Sequence, residues 1–172
     1  MILDLREFDE FPAETSLLAG PGELSPFGDS VVSVERVETD LAIQKSSEEY
    51  FCQAHVCAEI TMECARCLES FRREIVCATD FIATSLSVAE ERKGVIDDED
   101  YVYFKGDDLR IDIVEPVRQA LALELPLKPL CTENCRGLCQ KCGANLNQTT
   151  CECKPEETDP RWEGLKKLLP DQ

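Results

Sequence analysis

Cys139-Gln140-Lys141-Cys142-Gly143 sets two thiols three residues apart ahead of a glycine, the spacing of a metal knuckle. Two thiolates so placed can grip one ion, and the glycine allows the turn in which backbone N–H groups point at sulfur. Gly137 permits a tight approach to the motif, and after eight intervening residues Cys151-Glu152-Cys153 offers two further ligands. The favoured set is therefore Cys139, Cys142, Cys151 and Cys153. Cys131 and Cys135 stand just upstream, and Cys64 and Cys67 form a second CxxC in the middle of the chain. Eight thiols suffice for two four-cysteine sites. Alternatively, Cys131 and Cys135 join the first site and the CxxC stays free. The expected ion is zinc, one or two, because zinc takes thiolates in tetrahedral sets of four.

Eleven cysteines stand against a single histidine, His55. The opening Met1-Ile2-Leu3-Asp4-Leu5-Arg6-Glu7 breaks its apolar stretch with charge, so no signal peptide is expected and the thiols should meet a reducing cytoplasm. An odd cysteine count also fits a disulfide framework poorly. Cys52, Cys57 and Cys77 read as small hydrophobes in strands, and His55 as a surface side chain. With one histidine, no glycine-rich phosphate loop and no dinucleotide fingerprint, catalysis has little support and a non-enzymatic role is expected.

The formal charge is −17. Such a surplus disfavours bulk contact with nucleic acid or anionic membranes. No apolar run approaches the roughly 20 residues that a membrane span needs, and no small-molecule substrate is expected. Basic residues gather locally. Arg66, Arg72 and Arg73 cluster around the CxxC, Arg136 and Lys141 flank the knuckle, and Arg161 follows it. Residues 131–172 are close to neutral while the remainder carries −16, so any RNA contact belongs at the knuckle end and any basic protein partner at the acidic remainder.

The elements that must position these thiols are legible in part. Residues 1–30 read as an opening strand or turn and then loops, and Ser30 to Val37 as a strand. Tyr50 to Cys64 alternates strictly, with Ala54, Val56, Ala58, Ile60, Met62 and Cys64 on one face. Period two predicts a half-buried strand. Phe71 to Thr84 reads as its antiparallel partner, which puts Cys64-Ala65-Arg66-Cys67 at a hairpin tip. Residues 85–110 read as an acidic surface loop interrupted by a strand at Tyr101 to Phe104. The Asp97-Asp98-Glu99-Asp100 run lacks the spacing of a calcium loop. Ile111, Val114, Arg118, Leu121 and Leu125 recur at helical steps and predict a helix over 112–124, with Pro116 in its first turn. Asp159, Pro160, Trp162, Leu165 and Leu169 predict a short closing helix. The fold class expected is α+β: a mostly antiparallel sheet or partial barrel with one packed helix and a cysteine-rich, zinc-ribbon-like tail. The expected units are a sheet domain over 1–128 and a zinc-binding tail over 129–172.

Several of these residues also form a signature. Cys64-Ala65-Arg66-Cys67-Leu68 after a strand resembles the CxRCL element of the YceD-like family. Leu125-Pro126-Leu127-Lys128-Pro129-Leu130-Cys131, Cys135-Arg136-Gly137-Leu138-Cys139, Cys142-Gly143-Ala144-Asn145-Leu146-Asn147 and Cys151-Glu152-Cys153 resemble its C-terminal signature, and Asp159-Pro160-Arg161-Trp162 its closing helix. The resemblance spans about residues 30–170. It implies a small cytosolic or organellar protein linked to accumulation of the large-subunit ribosomal RNA, without established enzymatic activity. Partners implied are pre-rRNA or a ribosomal protein of the large subunit. Some members keep CxRC without the tail, which implies that Cys64 and Cys67 need not share a metal with it. Two other functions stand beside this one: a thiol oxidoreductase using Cys64 and Cys67, and a zinc carrier for a client protein.

Overall fold

The computed structural model describes residues 1–24, 27–91, 101–106 and 108–153. Strand β1 (Ile2–Asp4) leads through a single 3₁₀ turn (Leu5–Glu7) to β2 (Ala13–Ala19). Three long strands follow: β3 (Val31–Ser46), β4 (Glu49–Glu63) and β5 (Ser70–Ser85). Helix α1 (Leu86–Glu91), strands β6 (Tyr101–Phe104) and β7 (Arg110–Asp112), and helix α2 (Val114–Glu124) complete the set. The main sheet runs β2-β3-β4-β5-β6, and β1 pairs with β7 in a separate two-stranded ribbon.

The alternation read in residues 50–64 decides how the sheet is buried. On β4 the even-numbered residues from Tyr50 to Met62 face inward, and β4 pairs along its full length with β5. Val37, Leu41 and Ile43 of β3 and Ile75, Phe81 and Ala83 of β5 extend the same apolar face. Leu3, Leu5, Ile111, Ile113, Val117 and Leu121 cover it. At the usual value of about 25 cal/mol per Å² of apolar surface, this one-sided burial is the main stabilisation of the sheet. A smaller cluster around Cys64, Cys67 and Cys135 lies beyond this core, at the hairpin end of the sheet.

Several expectations change. The main sheet is mostly antiparallel, as expected, but β6 lies parallel to β5, which makes it mixed, and it does not close into a barrel: β2 and β6 are its two edges. Closure needs those edges to pair. β2 was not expected among the loops of residues 1–30. Its faces, Ala13, Thr15, Leu17 and Ala19 against Glu14, Ser16 and Leu18, contrast too weakly to announce a strand. The third strand runs on to Ser46 rather than ending at Val37, since its outward Asp40 and Gln44 look like loop residues until β4 pairs with them. Ile111 and Asp112 belong to β7, so the helix begins at Val114, and Val117 joins Leu121 on its buried face. Arg118 lies off that face, paired with Glu115. The 85–110 segment holds α1, β6 and the start of β7. The Asp97-to-Asp100 run and the closing helix expected near Asp159 lie outside the described residues. No helix among the described residues is long and apolar enough to cross a membrane.

Thr39 is fully buried on the inner face, and its hydroxyl finds no partner among the described residues. A buried hydroxyl without a hydrogen bond carries its desolvation cost uncompensated. Thr39→Val, of nearly the same shape, is expected to stabilise the fold by about 1 kcal/mol. A rise in the urea midpoint at unchanged slope is the check.

Candidate metal centres

The tip of the β4–β5 hairpin is a knuckle. Cys64 continues the inward row of β4 and is wholly buried, and Cys67 is 4% exposed. The Cys64 N–H donates to Glu69 O (3.0 Å), and the Leu68 N–H donates back to Cys64 O (2.9 Å). That turn requires a left-handed residue, and Leu68 takes it at φ 58°, a conformation costly for a side chain with a Cβ. Cys131 and Cys135 arrive from the tail. Cys64 Sγ lies 3.7 Å from Cys135 Sγ, and Cys67 Sγ lies 3.6 Å from Cys131 Sγ. All four sulfurs fall within 4.8 Å of one another. A tetrahedral zinc with bonds of about 2.3 Å demands sulfur–sulfur edges of about 3.8 Å.

Cys139, Cys142, Cys151 and Cys153 form the second cluster, again within 4.8 Å. Its knuckle has the same backbone wiring as the first. The Cys139 N–H donates to Ala144 O (2.8 Å), and the Gly143 N–H donates to Cys139 O (2.8 Å). Gly143 takes the left-handed position at φ 73° that Leu68 occupies in the hairpin, here without steric cost. The second cluster is more open, with Cys142 and Cys153 exposed.

Between the clusters the tail is docked on the hairpin tip. Ala65 N–H donates to Pro129 O (2.8 Å), Leu138 N–H to Arg66 O (3.2 Å), and Arg66 Nη1 to Cys135 O (2.8 Å). Gly137 is buried at φ 73°, and a Cβ there would stand 2.9 Å from Arg66 O. Glu69 accepts from Asn145 Nδ2 (3.3 Å) and Gln148 Nε2 (3.4 Å). Asn147 Oδ1 accepts from the Arg136 N–H (2.7 Å), while its Nδ2 donates to Cys135 Sγ (3.3 Å). Sequence reasoning missed Glu69, Asn145 and Asn147 as parts of the site. Their only signal was proximity to cysteines, because a hydrogen bond to sulfur has no spacing of its own.

The sulfurs are electrostatically uneven. At Cys64, burial opposes ionisation, but N–H groups of Cys67, Cys131 and Arg66 aimed at the sulfur outweigh it and bring the thiol down to about 6. The N–H groups of Cys142 and Lys141, with the thiols of Cys151 and Cys142, bring Cys139 to about 6 as well. Cys135 is lowered against its burial, chiefly through Asn147. Cys153 is pushed up to about 12, first by its hydrogen bond with Cys142. Cys67 reaches about 12: the Glu69 N–H favours its thiolate, but burial and the neighbouring thiols prevail. Each cluster therefore holds its first negative charge easily and resists further ones, a balance that a bound dication reverses.

The remaining candidates divide. Arg66 and Arg136 both flank Cys135 at the docking seam. Arg72 and Arg73 are exposed on opposite faces of β5 near the tip, and Lys141 is exposed in the second knuckle. Arg161 lies outside the described residues. Cys52 is buried in the core, which pushes its thiol up to about 12, and Cys77 packs against the same core. Cys57 and His55 lie on the outward face of β4.

The family described as large ribosomal RNA subunit accumulation protein YceD matches residues 52–169. The chain belongs to the YceD family. All eight clustered cysteines fall inside the matched stretch, whereas β2 and β3 precede it. An uncharacterized protein of Mycobacterium tuberculosis is 32% identical over 163 residues, 87% of this chain and 76% of its own length. An uncharacterized protein of Mycobacterium leprae is 28% identical over 77% of this chain and 59% of its own. The large ribosomal RNA subunit accumulation protein YCED homolog 1, chloroplastic, of Zea mays is 44% identical over 49% of this chain and 28% of its own length. No solved structure is significantly similar. In this chain Cys64 and Cys67 are the half of a four-sulfur cluster that the sheet supplies, with the tail supplying the other half.

Two outcomes are expected. Gly137→Ala should weaken tail docking by about 1–3 kcal/mol, seen as faster hydrogen exchange at the Ala65 and Leu138 amides. In metal-free reduced protein, alkylation of the half-exposed Cys139 should follow its thiolate. Because its thiol is lowered to about 6, the rate should be near its plateau at pH 7 and fall about tenfold per unit below 6. Peptide mass spectrometry across a pH series reads it.

Proposed function

We propose that this protein is a non-enzymatic factor in biogenesis of the large ribosomal subunit, supporting accumulation of its rRNA by holding a basic ribosomal protein, with two structural zinc ions as its cofactors. The family and the names of its plant relatives support the ribosomal role. The observation that carries the structural part is the first cluster, whose sulfurs lie 64 and 71 positions apart in the chain. Two come from a β-hairpin and two from a tail, in a sulfur-only set with tetrahedral edges. Zinc bound there would cross-link the two segments through four thiolates, leaving no open position for a substrate. The tail then acts as a zinc ribbon fastened to the sheet.

The deep burial of Cys64 and Cys67 supports this over thiol–disulfide exchange, since a disulfide substrate must reach an attacking sulfur. The carrier reading needs an exchangeable ion, and the buried cluster favours a retained one. The net charge of −17 favours a basic protein as the principal partner. Local pre-rRNA contact is the second reading, favoured by Arg66, whose guanidinium reaches Cys135 O next to Arg136 in the chain, with Arg72, Arg73, Lys141 and Arg161 as further candidates. The location proposed is the cytoplasm.

Untagged protein purified under reductant without added metal is expected to carry two zinc ions per chain. Cys64→Ser with Cys67→Ser should leave one, and so should Cys142→Ser with Cys153→Ser, by elemental analysis. Deleting the gene in its host should lower large-subunit rRNA relative to small-subunit rRNA, and the Cys64/Cys67 double variant should fail to restore it. An unchanged ratio after deletion would sink the ribosomal role.

A further inference from the structure

The main sheet has a second face that none of the described elements covers. Register places Leu18, Glu38, Cys57 and Val76 in one cross-strand row over β2 to β5. With strands about 4.8 Å apart, the row spans about 14 Å. Leu18 is 60% and Val76 62% exposed. Asp40 flanks the row on one side, and Glu59 and Glu74 flank it on the other. Arg36 is committed to Glu38 (3.2 Å), while Asp40, Glu59 and Glu74 have no ion pair among the described residues. Beside Asp40, a shallow groove of about 460 Å³ runs along the outer side of β2, β3 and β4, lined by Glu14, Ser16 and His55 among others.

We propose that this outer face is a docking surface for a lysine- and arginine-bearing segment of a protein partner whose basic residues are punctuated by apolar ones. The inference rests on the proposed ribosomal role and names the surface through which it works. Two features select this occupant. Leu18 and Val76 leave exposed apolar surface at the two ends of the row, and the carboxylates in and beside it, Glu38, Asp40, Glu59 and Glu74, complement cations interspersed with apolar residues. The same field repels nucleic-acid phosphate. A second copy of this chain is disfavoured equally, because it would bring the same carboxylates face to face. The Cys57 thiol in the middle of the row is held above its ordinary value by burial and then by Glu74 and Glu38, consistent with a negative potential there.

The test uses the full metal-loaded chain and a fluorescein-labelled peptide, Lys-Leu-Arg-Gly repeated three times, with a single-stranded 20-nucleotide RNA as the competing probe. Glu38→Gln, Asp40→Asn, Glu59→Gln and Glu74→Gln together remove four charges from this face. Glu10→Gln, Asp29→Asn, Glu124→Gln and Glu133→Gln remove four charges elsewhere. By fluorescence anisotropy, the first set is expected to weaken peptide binding at least tenfold and the second less than twofold. Leu18→Ser with Val76→Ser, at unchanged charge, should weaken it about fivefold. Equal losses from both charge sets would overturn the proposal, leaving only bulk attraction. So would tight RNA binding abolished by the first set. In cells lacking the native gene, the first set should also fail to restore large-subunit rRNA. Full restoration would overturn the role of this face while leaving the ribosomal reading intact, because that reading falls only if deletion itself changes nothing.

Discussion

Two pairs of cysteines far apart in sequence meet between the hairpin tip and the tail, and the tail's position follows from that meeting. Cys64 and Cys67 stand at the tip of a hairpin whose β4 row is anchored in the core, so the sheet sets where their sulfurs stand. Cys131 and Cys135 come from a segment with little apolar surface of its own: Leu130, Cys131 and Leu138 are its partly buried members of the small cluster around these thiols. Such a segment cannot offset its ordering entropy by burial. A metal held by the four thiolates would supply ordering free energy in this situation. The hydrogen bonds of Arg66, Glu69 and Asn147 orient the partners, each bond worth about 1 kcal/mol.

The two knuckles solve one backbone problem with different residues. Both need a left-handed residue after the second cysteine so that N–H groups converge on sulfur. In the tail glycine supplies it freely; at the hairpin tip a leucine is held there, with its side chain 57% exposed. The surrounding strands and the cluster beneath over-determine the turn enough to carry that strain. The buried cluster is therefore the more constrained of the two, and the open one the more accessible to solvent.

Charge and burial divide the sheet into two working surfaces. The inner face is closed by β1, β7 and α2 and carries the core. The outer face keeps its polar alternation across β2 to β5 and holds exposed carboxylates between scattered apolar residues. The outer face is the one proposed to meet a cationic partner; the cationic residues near the clusters are few, and Arg66 is occupied with tail docking. The stretch that the YceD family matches contains the helix, both clusters and nearly all of the hairpin, whereas β2 and β3 of the outer face precede it.

Strict alternation over residues 50–64 was sufficient to determine β4, because period two has one structural meaning when one face is apolar, and the separate reading of Phe71 to Thr84 as its antiparallel partner put the CxxC at their tip. The spacing of Cys139, Cys142, Cys151 and Cys153 likewise pointed to one local cluster, as short loops bring near neighbours together with little closure entropy. Tertiary structure alone decided the rest. β2, the far half of β3 and the parallel β6 have weak patterns and exist because neighbouring strands offer them hydrogen bonds. The pairing of Cys64 and Cys67 with Cys131 and Cys135 could not be read from spacing, since contacts 64 to 71 residues apart depend on how the whole sheet delivers its hairpin tip. Asn147 became a sulfur partner for the same reason: its role is a position in space, and only the docked tail creates it.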